Sequence, residues 1–181
     1  MPNFTRCLAL PEPMTSSGIG LRAETDDDRD FVERLYLTVR WEELAQVDWP
    51  ETAKTAFLKD QFLHQRHHYL THYHDTDFGI VTWGGAPVGR LYLYRGRVDC
   101  RIVDISLLPE ARGQGLGTAL LGAVFAESAA AGRTVSIHVE IFNPAQRLYE
   151  RLGFQDVTVR GPYRLMQWGA PSMPPTSDPT P

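Results

Sequence analysis

The sequence predicts an α/β (α+β) domain, because segments typical of strands and of amphipathic helices alternate along one chain of ordinary domain length, 181 residues. Residues 98–107 have the apolar pattern of a strand and lead through a glycine-rich turn into a helix with an apolar face of Leu116, Leu120 and Val124. Residues 134–141 then alternate apolar and polar side chains, as a half-buried strand does. Together these observations indicate a sheet covered by helices.

The first half of the domain is predicted to contain a short strand at residues 19–23 and two helices. Thr25 is expected to cap the first helix, in which an acidic turn precedes an apolar face of Phe31, Leu35 and Val39. A break at residues 48–50 precedes the second helix. This helix begins near Glu51 and repeats apolar residues every seven positions, at Ala56, Leu63 and Leu70.

The second half is predicted to contain strands at about 72–82, 86–95 and 98–107, a helix at 116–131, a strand at 134–141, a helix at 144–152, and strands near 155–158 and 162–168. Asn143 is expected to cap the last helix, and Gly153 is expected to end it in a left-handed turn.

Outside the domain at 18–168, residues 1–17 are expected to be a loosely packed N-terminal extension. Residues 169–181, with five prolines, are expected to be a disordered tail.

Composition and charge exclude several classes of protein. The formal net charge of −4 gives no general attraction to nucleic acid or to anionic membranes. Only two cysteines, Cys7 and Cys100, are present, which argues against a structural disulfide. The first 17 residues lack the pattern of a signal peptide, and no stretch is apolar enough to span a bilayer. We therefore expect a cytoplasmic protein that binds neither nucleic acid nor membrane.

Residues 112–118, Arg-Gly-Gln-Gly-Leu-Gly-Thr, predict an anion site between a strand and a helix. Glycines let the backbone approach a ligand, the first amides of a helix lack partners within it, and Arg112 adds a positive charge. No lysine follows, as a nucleoside-triphosphate loop requires, and the glycines do not have the spacing of a dinucleotide loop. An ordinary glycine-rich turn is the alternative to a phosphate site.

A second motif follows at residues 143–154, Asn-Pro-Ala-Gln-Arg-Leu-Tyr-Glu-Arg-Leu-Gly-Phe. The Arg-x-x-Gly-x-Gly pattern at 112–117 resembles the coenzyme-A loop of the GNAT superfamily of N-acetyltransferases. The second motif is similar to that family's Asn…Ala-x-x-Leu-Tyr-x-x-Leu-Gly-Phe signature. The two motifs occur in the family's order with one strand between them, so the resemblance is strongest over residues 98–157.

The resemblance implies the GNAT fold: a mixed, mostly antiparallel sheet of about seven strands with helices on both faces and a splayed central strand pair. The splayed strands would be those at 98–107 and 134–141, and the gap between them would admit the pantetheine arm. The resemblance also implies an enzyme that uses acetyl-CoA and no metal. It would transfer the acetyl group directly to a primary amine through a tetrahedral intermediate.

The resemblance further assigns roles to particular residues. The backbone amide of Leu107 would stabilise the oxyanion, and Asn143 would contact the pantetheine, although it lies six rather than the usual seven residues before the tyrosine. The pyrophosphate would be held at the loop, by Arg112, Gly113, Gln114, Gly115, Leu116, Gly117 and Thr118.

Tyr149 matches the tyrosine that the family often uses as general acid toward the departing thiolate, and a phenol with a pKa of about 10 suits that role. The alternative is a packing tyrosine on an amphipathic helix. For the general base, His138 takes the position at which some relatives carry a glutamate, and Glu140 is the nearest carboxylate. Asp104 and Ser106 are further candidates, a structural hydrogen bond or ion pair is the alternative for each, and ordered water could replace a single base.

Three other clusters are open to interpretation. The histidines of residues 64–74 lack the spacing of a metal site, which favours a solvated helix end. Aromatic residues of the helical region are expected to be mostly core, with one or two lining an acceptor pocket: Trp41, Trp49, Phe57, Phe62 and Tyr69. Four arginines around one hairpin are predicted to be exposed strand charges rather than a clamp for an anionic substrate: Arg90, Arg95, Arg97 and Arg101.

The function predicted from these observations is N-acetyl transfer from acetyl-CoA to an amine of a small molecule or a protein. We expect a monomer or a homodimer. The alternative from another class is a non-catalytic acyl-CoA-binding module with the same fold. The third hypothesis is a nucleotide-binding enzyme. In that case ATP, and not acetyl-CoA, would protect the protein against thermal unfolding.

Overall fold

Residues 8–169 form a seven-stranded sheet with helices on both faces in the computed structural model, which does not describe residues 1–7 and 170–181. The strands are β1 Ile19–Ala23, β2 Thr76–Trp83, β3 Ala86–Arg95, β4 Asp99–Leu107, β5 Thr134–Glu140, β6 Gln155–Arg160 and β7 Tyr163–Trp168. The helices are α1 Glu12–Ser16, α2 Arg29–Arg40, α3 Glu51–His72, α4 Leu116–Ala130 and α5 Gln146–Arg151. All but one residue of the predicted disordered tail therefore lies outside the described residues.

The strand order is β1-β2-β3-β4-β5-β7-β6, and every neighbouring pair is antiparallel except β4 and β5. This confirms the predicted mixed, mostly antiparallel sheet. The parallel pair holds together over only four positions, from Asp99 opposite Thr134 to Ile102 opposite Ile137. Beyond that point β4 follows β3 as far as Leu107, while β5 follows β7. The two central strands therefore part toward their carboxyl ends, which confirms the predicted splay.

Two hydrophobic cores fix the helices to the sheet. On one face, α4 buries its predicted stripe of Leu116, Leu120 and Val124 against a cluster that includes Val135 and Ile137 of β5. On the other face, α2 and α3 pack around a separate cluster, which includes Phe31, Leu35, Phe62 and Ile80. The apolar residues of β5 face α4, so its alternate polar positions face α2 and α3. On β4 a bulge at Val103 interrupts the alternation and keeps Arg101 and Asp104 on that same face. Among the helices within residues 8–169, none combines the length and the hydrophobicity that a membrane span requires.

The seven-residue apolar repeat of α3 does not form its buried face, because Leu63 and Leu70 are 48% and 45% exposed. The buried residues of this helix are Leu58 and Phe62 instead. The rest of its inner face is polar, because Arg66 donates to the Glu24 carboxylate and Tyr69 donates to the Asp104 carboxylate of β4. A seven-residue apolar spacing therefore marks the solvent side of this helix.

The predicted bounds of the other elements are confirmed to within a few residues, with exceptions at two helix starts. Thr25 caps a 3-10 turn at Asp26–Asp28, which precedes α2, and not α2 itself. Its backbone N–H donates to the Asp28 carboxylate at 2.9 Å. Asn143 accepts a hydrogen bond from the backbone N–H of Ala145 at 2.9 Å, so it caps the turn before α5 and not the helix itself. Gly153 ends α5 at φ 93°, as predicted.

The expectation of loose packing does not hold for residues 8–17. Leu8 and Met14 are buried in the same core as the inner face of α4, and Met14 itself belongs to α1, which packs on β1. The sequence signal was misleading because the prolines that suggested an irregular extension stand at the start of a short helix, where proline is tolerated.

Replacing Met14 by alanine is expected to lower the free energy of unfolding by about 2–4 kcal/mol, because the change removes a buried side chain and leaves a cavity. Glu12→Ala, at an exposed position of the same helix, is the matched control and is expected to change stability by less than about 0.5 kcal/mol. Urea unfolding followed by circular dichroism measures both. Equal stability of the two variants would show that this segment does not belong to the core.

Candidate active site

The backbone amide of Leu107 faces the gap between β4 and β5. Leu108 donates its N–H to the carbonyl of Val88 at 2.9 Å, and the register places Leu107 opposite Gly89. In an antiparallel ladder, residues alternate between bonding to the partner strand and pointing away from it. Leu107 therefore directs its N–H and C=O away from β3, toward the side on which β5 has already diverged.

A close backbone approach fixes this end of β4. A Cβ atom at Gly89 would lie 2.5 Å from the carbonyl oxygen of Ser106 and 2.6 Å from a methyl carbon of Leu107. Only glycine fits at that position without moving β4. Arg112 adds a second constraint, since its Nε donates to the carbonyl of Leu107 at 2.9 Å. Arg112, which the sequence predicted as part of the anion site, therefore also holds the end of β4 that carries the Leu107 amide.

Six consecutive backbone amides line the turn between β4 and α4. Within residues 8–169, no backbone carbonyl accepts a hydrogen bond from the N–H groups of residues 113–118. Gly113 and Gly115 adopt φ values of 72° and 78°, a region that favours glycine, and α4 starts immediately afterwards at Leu116. Unpaired amides together with the positive end of a helix dipole form an anion site. The loop therefore has the geometry that its sequence predicts.

Tyr149 lies on α5, which packs beside the start of α4 through Leu148 and Gly117. Its side chain is buried, and its ring contacts that of Phe154 with centroids 5.6 Å apart. Burial raises the pKa of Tyr149 well above the ordinary phenol value, and the negative charge of Asp104 on β4 raises it further. The phenol therefore keeps its proton at neutral pH, and it is a weaker acid than the ordinary phenol that the sequence led us to expect.

The predicted base candidates lie on the side of the sheet that faces α2 and α3. Glu140 is ion-paired with Arg40 of α2, Nη1 to Oε1 at 2.9 Å, which occupies its carboxylate. The His138 side chain reaches the surface, but the protein around it removes part of its hydration, and this desolvation together with the nearby Arg101 lowers its pKa below the ordinary value. Its imidazole is therefore neutral at pH 7. It is also the first residue of β5 beyond the point where β4 departs.

Asp104 and Ser106, the further candidates, belong to a buried network. Arg90 donates to the Asp104 carboxylate at 2.6 Å, and the Ser106 hydroxyl donates to it at 2.7 Å. Tyr69 of α3 donates to the same carboxylate at 3.4 Å, and burial raises the pKa of this phenol. Both oxygens of the Asp104 carboxylate are thus engaged by protein donors beside the gap.

The prediction of exposed strand charges is wrong for Arg90 and Arg95. Arg90 is 4% exposed, and Arg95 forms ion pairs with Asp77 and Glu127. A second buried group joins Glu24, whose carboxylate accepts hydrogen bonds from Arg66 and from the hydroxyl of Tyr92. Partners 14 to 68 residues apart form these pairs, which is why no local pattern announces them. Pairing β3 and β4 as a β-hairpin places Arg90 diagonal to Asp104. This register is the one signal in the sequence from which the ion pair could have been predicted.

The remaining clusters have structural explanations. Within the described part of the chain, no group of three or more histidine, cysteine, aspartate or glutamate residues is placed to hold a metal ion. Phe62 is core, but Trp49 and Phe57 pack on each other at the surface with ring centroids 5.5 Å apart, and Trp41 is 36% exposed. The prediction that most of these aromatic residues are core is therefore wrong, because α3 presents Leu58 rather than Phe57 to the sheet.

Substituting Gly89 by alanine is expected to lower the free energy of unfolding by about 1–3 kcal/mol, because the new methyl group would overlap β4 at Ser106 and Leu107. Gly122→Ala is the matched control. That glycine lies at an exposed position in the middle of α4, with no atom within 4 Å of the position that a methyl group would take. Alanine there is expected to raise the free energy of unfolding by about 0.5–1 kcal/mol. Chemical denaturation measures both, and a neutral Gly89→Ala would refute the close approach.

Comparison with known structures supports the fold. The PaiA N-acetyltransferase of Thermoplasma acidophilum in complex with coenzyme A superposes with a TM-score of 0.60 at 17% identity, covering 82% of this chain and 97% of that chain. An acetyltransferase from Thermus thermophilus gives 0.60 at 21% identity, covering 83% and 96%. A GNAT family acetyltransferase from Elizabethkingia anophelis with acetyl-CoA bound gives 0.55 at 15% identity, covering 83% and 97%. At these identities the similarity shows the fold alone.

No protein of curated function matches the chain in sequence. The model of the acetyltransferase (GNAT) family, however, matches residues 38–154, which is well over half of the chain. The matched region runs from the end of α2 to the residue after Gly153, so it contains the splayed strands, the loop and α5. The chain belongs to the GNAT acetyltransferase family.

Proposed function

We propose that this protein is an acetyl-CoA-dependent N-acetyltransferase that transfers the acetyl group directly to a primary amine. One observation carries the proposal: two sets of backbone donors lie together at one end of the sheet. The first is the Leu107 amide, which faces the gap, and the second is the six unpaired amides of residues 113–118. The first can bind a developing oxyanion, and the second can bind a pyrophosphate. A generic glycine-rich turn would not require the strands to part beside it.

The residues present fit coenzyme A. The amides of Gln114 to Thr118 would hold the pyrophosphate, with Arg112 at the mouth of the loop. The gap between β4 and β5 would receive the pantetheine arm, whose amides suit the unpaired backbone groups of parted strands. Acetyl-CoA supplies an acetyl thioester, the group that is transferred. Asn143 lies at the turn after β5, with its side-chain oxygen already engaged by Ala145, so a role toward the pantetheine would fall to its amide nitrogen.

The chemistry needs a neutral amine, an oxyanion donor and a proton for the leaving thiolate. His138 accepts a proton from the acceptor ammonium, directly or through water, because its lowered pKa keeps it neutral. The amine nitrogen then bonds to the thioester carbon while the Leu107 N–H stabilises the negative oxygen of the tetrahedral intermediate. As the carbon–sulfur bond breaks, Tyr149 donates its proton to the sulfur, and the excess proton of the nitrogen passes to the Tyr149 phenolate, directly or through water, which leaves the neutral amide and the free thiol.

An acceptor screen tests the proposal directly. Thiol release from acetyl-CoA is measured with a broad panel of amines, and acetylated products are identified by mass spectrometry; longer acyl-CoA donors are included to define the depth of the acyl pocket. We expect amine-dependent thiol release with at least one acceptor. A protein that binds acetyl-CoA but acetylates nothing in the panel would be the non-catalytic module instead.

Tyr149→Phe is expected to reduce kcat at least about a hundredfold, because it removes the proton for the leaving sulfur and leaves the ring packing in place. Binding of acetyl-CoA, measured by calorimetry, is expected to be unchanged. The matched control is Tyr36→Phe, which removes the hydroxyl of another buried tyrosine, on α2, and is expected to retain kcat. If both variants keep full activity, Tyr149 is a packing residue.

The pH dependence of kcat/KM tests His138. In the wild type, kcat/KM is expected to decline as the pH falls through the pKa of His138, which lies below the usual histidine value of about 6.5. His138→Gln is expected to abolish this acid limb and to lower kcat/KM by about a hundredfold. Glu140→Gln is expected to retain the limb, because that carboxylate is held by Arg40. An unaltered limb in His138→Gln would assign the base elsewhere.

A further inference from the structure

A second cleft, of about 470 Å³, opens at the end of the sheet opposite the loop. It lies between the end of α3 with the following turn and the β3–β4 hairpin. Clefts of this size accommodate small ligands. The residues that give it chemical character are two arginines, two tyrosines and two histidines: Arg97, Arg101, Tyr73, Tyr94, His72 and His74.

The structure divides the four hairpin arginines into two pairs. Arg90 and Arg95 are neutralised by buried carboxylates, whereas Arg97 and Arg101 line the cleft. Among residues 8–169, no carboxylate pairs with Arg97 or Arg101, and neither guanidinium donates a hydrogen bond to a protein group. Guanidinium groups bind carboxylates and phosphates with paired hydrogen bonds. Two such groups in one cleft therefore form an anion site that the protein itself does not fill.

The carboxylates of the cleft do not remove this character. Asp99 accepts hydrogen bonds from the hydroxyls of Thr134 at 2.7 Å and Ser136 at 2.5 Å, so both of its oxygens are engaged by β5. Asp75 is the other carboxylate of the lining, at the turn before β2. Asp75 forms no ion pair with either arginine in the described residues, so both guanidinium groups keep their donors for a ligand.

The cleft shares a face of the sheet with the proposed catalytic residues. Arg101 pairs with Ser136, and His138 is the next residue of β5 on the same face. The positive charge of Arg101 acts on His138, so the two side chains share an electrostatic environment. Arg101 lies opposite Tyr94 and Leu107 opposite Gly89, five positions apart on β3, which is a separation of roughly 17 Å along the strand. The cleft and the gap therefore lie at opposite ends of β4.

Building on the proposed N-acetyl transfer, we propose that the acceptor is an amine that also carries a carboxylate or phosphate group, which Arg97 and Arg101 bind in this cleft. The anion would be anchored at the hairpin end while the amine reaches the gap at the other end. An extended peptide of three to five residues, spanning roughly 10–17 Å, bridges most of that separation. The acceptor class is therefore an extended, anionic amine such as a short peptide.

Oligoglycines of two to five residues test this, each as the free acid, as the C-terminal amide, and with a C-terminal phosphoserine amide added. The ratio of kcat/KM between the anionic and the amide form is measured by thiol release at a single pH. For three to five residues, the wild type is expected to prefer an anionic form by about ten- to a hundredfold. The carboxylate and phosphoserine arms identify which anion the cleft prefers.

Arg97→Ala and Arg101→Ala are expected to reduce this ratio to near one while kcat/KM for the amides changes little in Arg97→Ala. Using a ratio cancels the effect of Arg101 on His138, and Arg101→Lys is expected to restore part of the preference. Arg29→Ala, at an exposed site at the start of α2, is the matched control and keeps the wild-type ratio. A wild type without anionic preference, or variants that retain it, would overturn the proposal and leave N-acetyl transfer intact.

Calorimetry with the same peptides on coenzyme-A-saturated protein separates the two proposals. If no peptide is acetylated but the wild type binds an anionic form at least about tenfold more tightly than its amide, and Arg101→Ala abolishes the difference, the anion cleft stands and the proposed reaction fails. Equal binding of acid and amide forms refutes the anion cleft.

Discussion

The parting of β4 from β5 after Ile102 and Ile137 is the constraint on which the site depends. Neighbouring parallel strands normally satisfy each other's backbone groups, and strands that separate leave those groups unpaired. Here the separation leaves Leu107 facing open space beside a loop with six unpaired amides. A ligand with carbonyl and phosphate oxygens can satisfy both sets of donors. The fold thereby creates at one place the two features that acyl transfer from coenzyme A needs.

Beyond Ile102, β4 has no partner strand on the β5 side, and contacts from three other directions hold it in place. Gly89 allows β3 to approach β4 closely, and Arg112 bonds the carbonyl of Leu107 from the loop. On the face covered by α3, Arg90 and Tyr69 hold the Asp104 carboxylate. These contacts fix the direction of the Leu107 amide before any substrate binds. A preorganised donor stabilises an oxyanion without reorganising during the reaction.

Local patterns in the sequence were sufficient for the strands, for the backbone geometry of the loop and for the place of Tyr149 on a short helix, because each depends on residues close together in the chain. The buried pair of Arg90 and Asp104 was not predictable in the same way, since its partners come from different strands and each looks like an ordinary surface charge. The apolar repeat of α3 misled for a related reason: the sheet offers this helix carboxylates as well as an apolar surface, so polar residues face inward. Residues 8–17 were underestimated because a short helix gains its stability from packing and not from its own sequence.

The amide of Leu107 provides the most direct test of the account. NMR hydrogen exchange is measured for the free protein and for its complex with an acetyl-CoA analogue that has a ketone in place of the thioester. We expect the Leu107 amide to exchange faster than that of Leu108 in the free protein, since Leu108 bonds to Val88. The analogue should slow exchange and shift the resonances at Leu107 and at residues 113–118. An analogue that binds while Leu107 stays unprotected and unshifted would contradict the account.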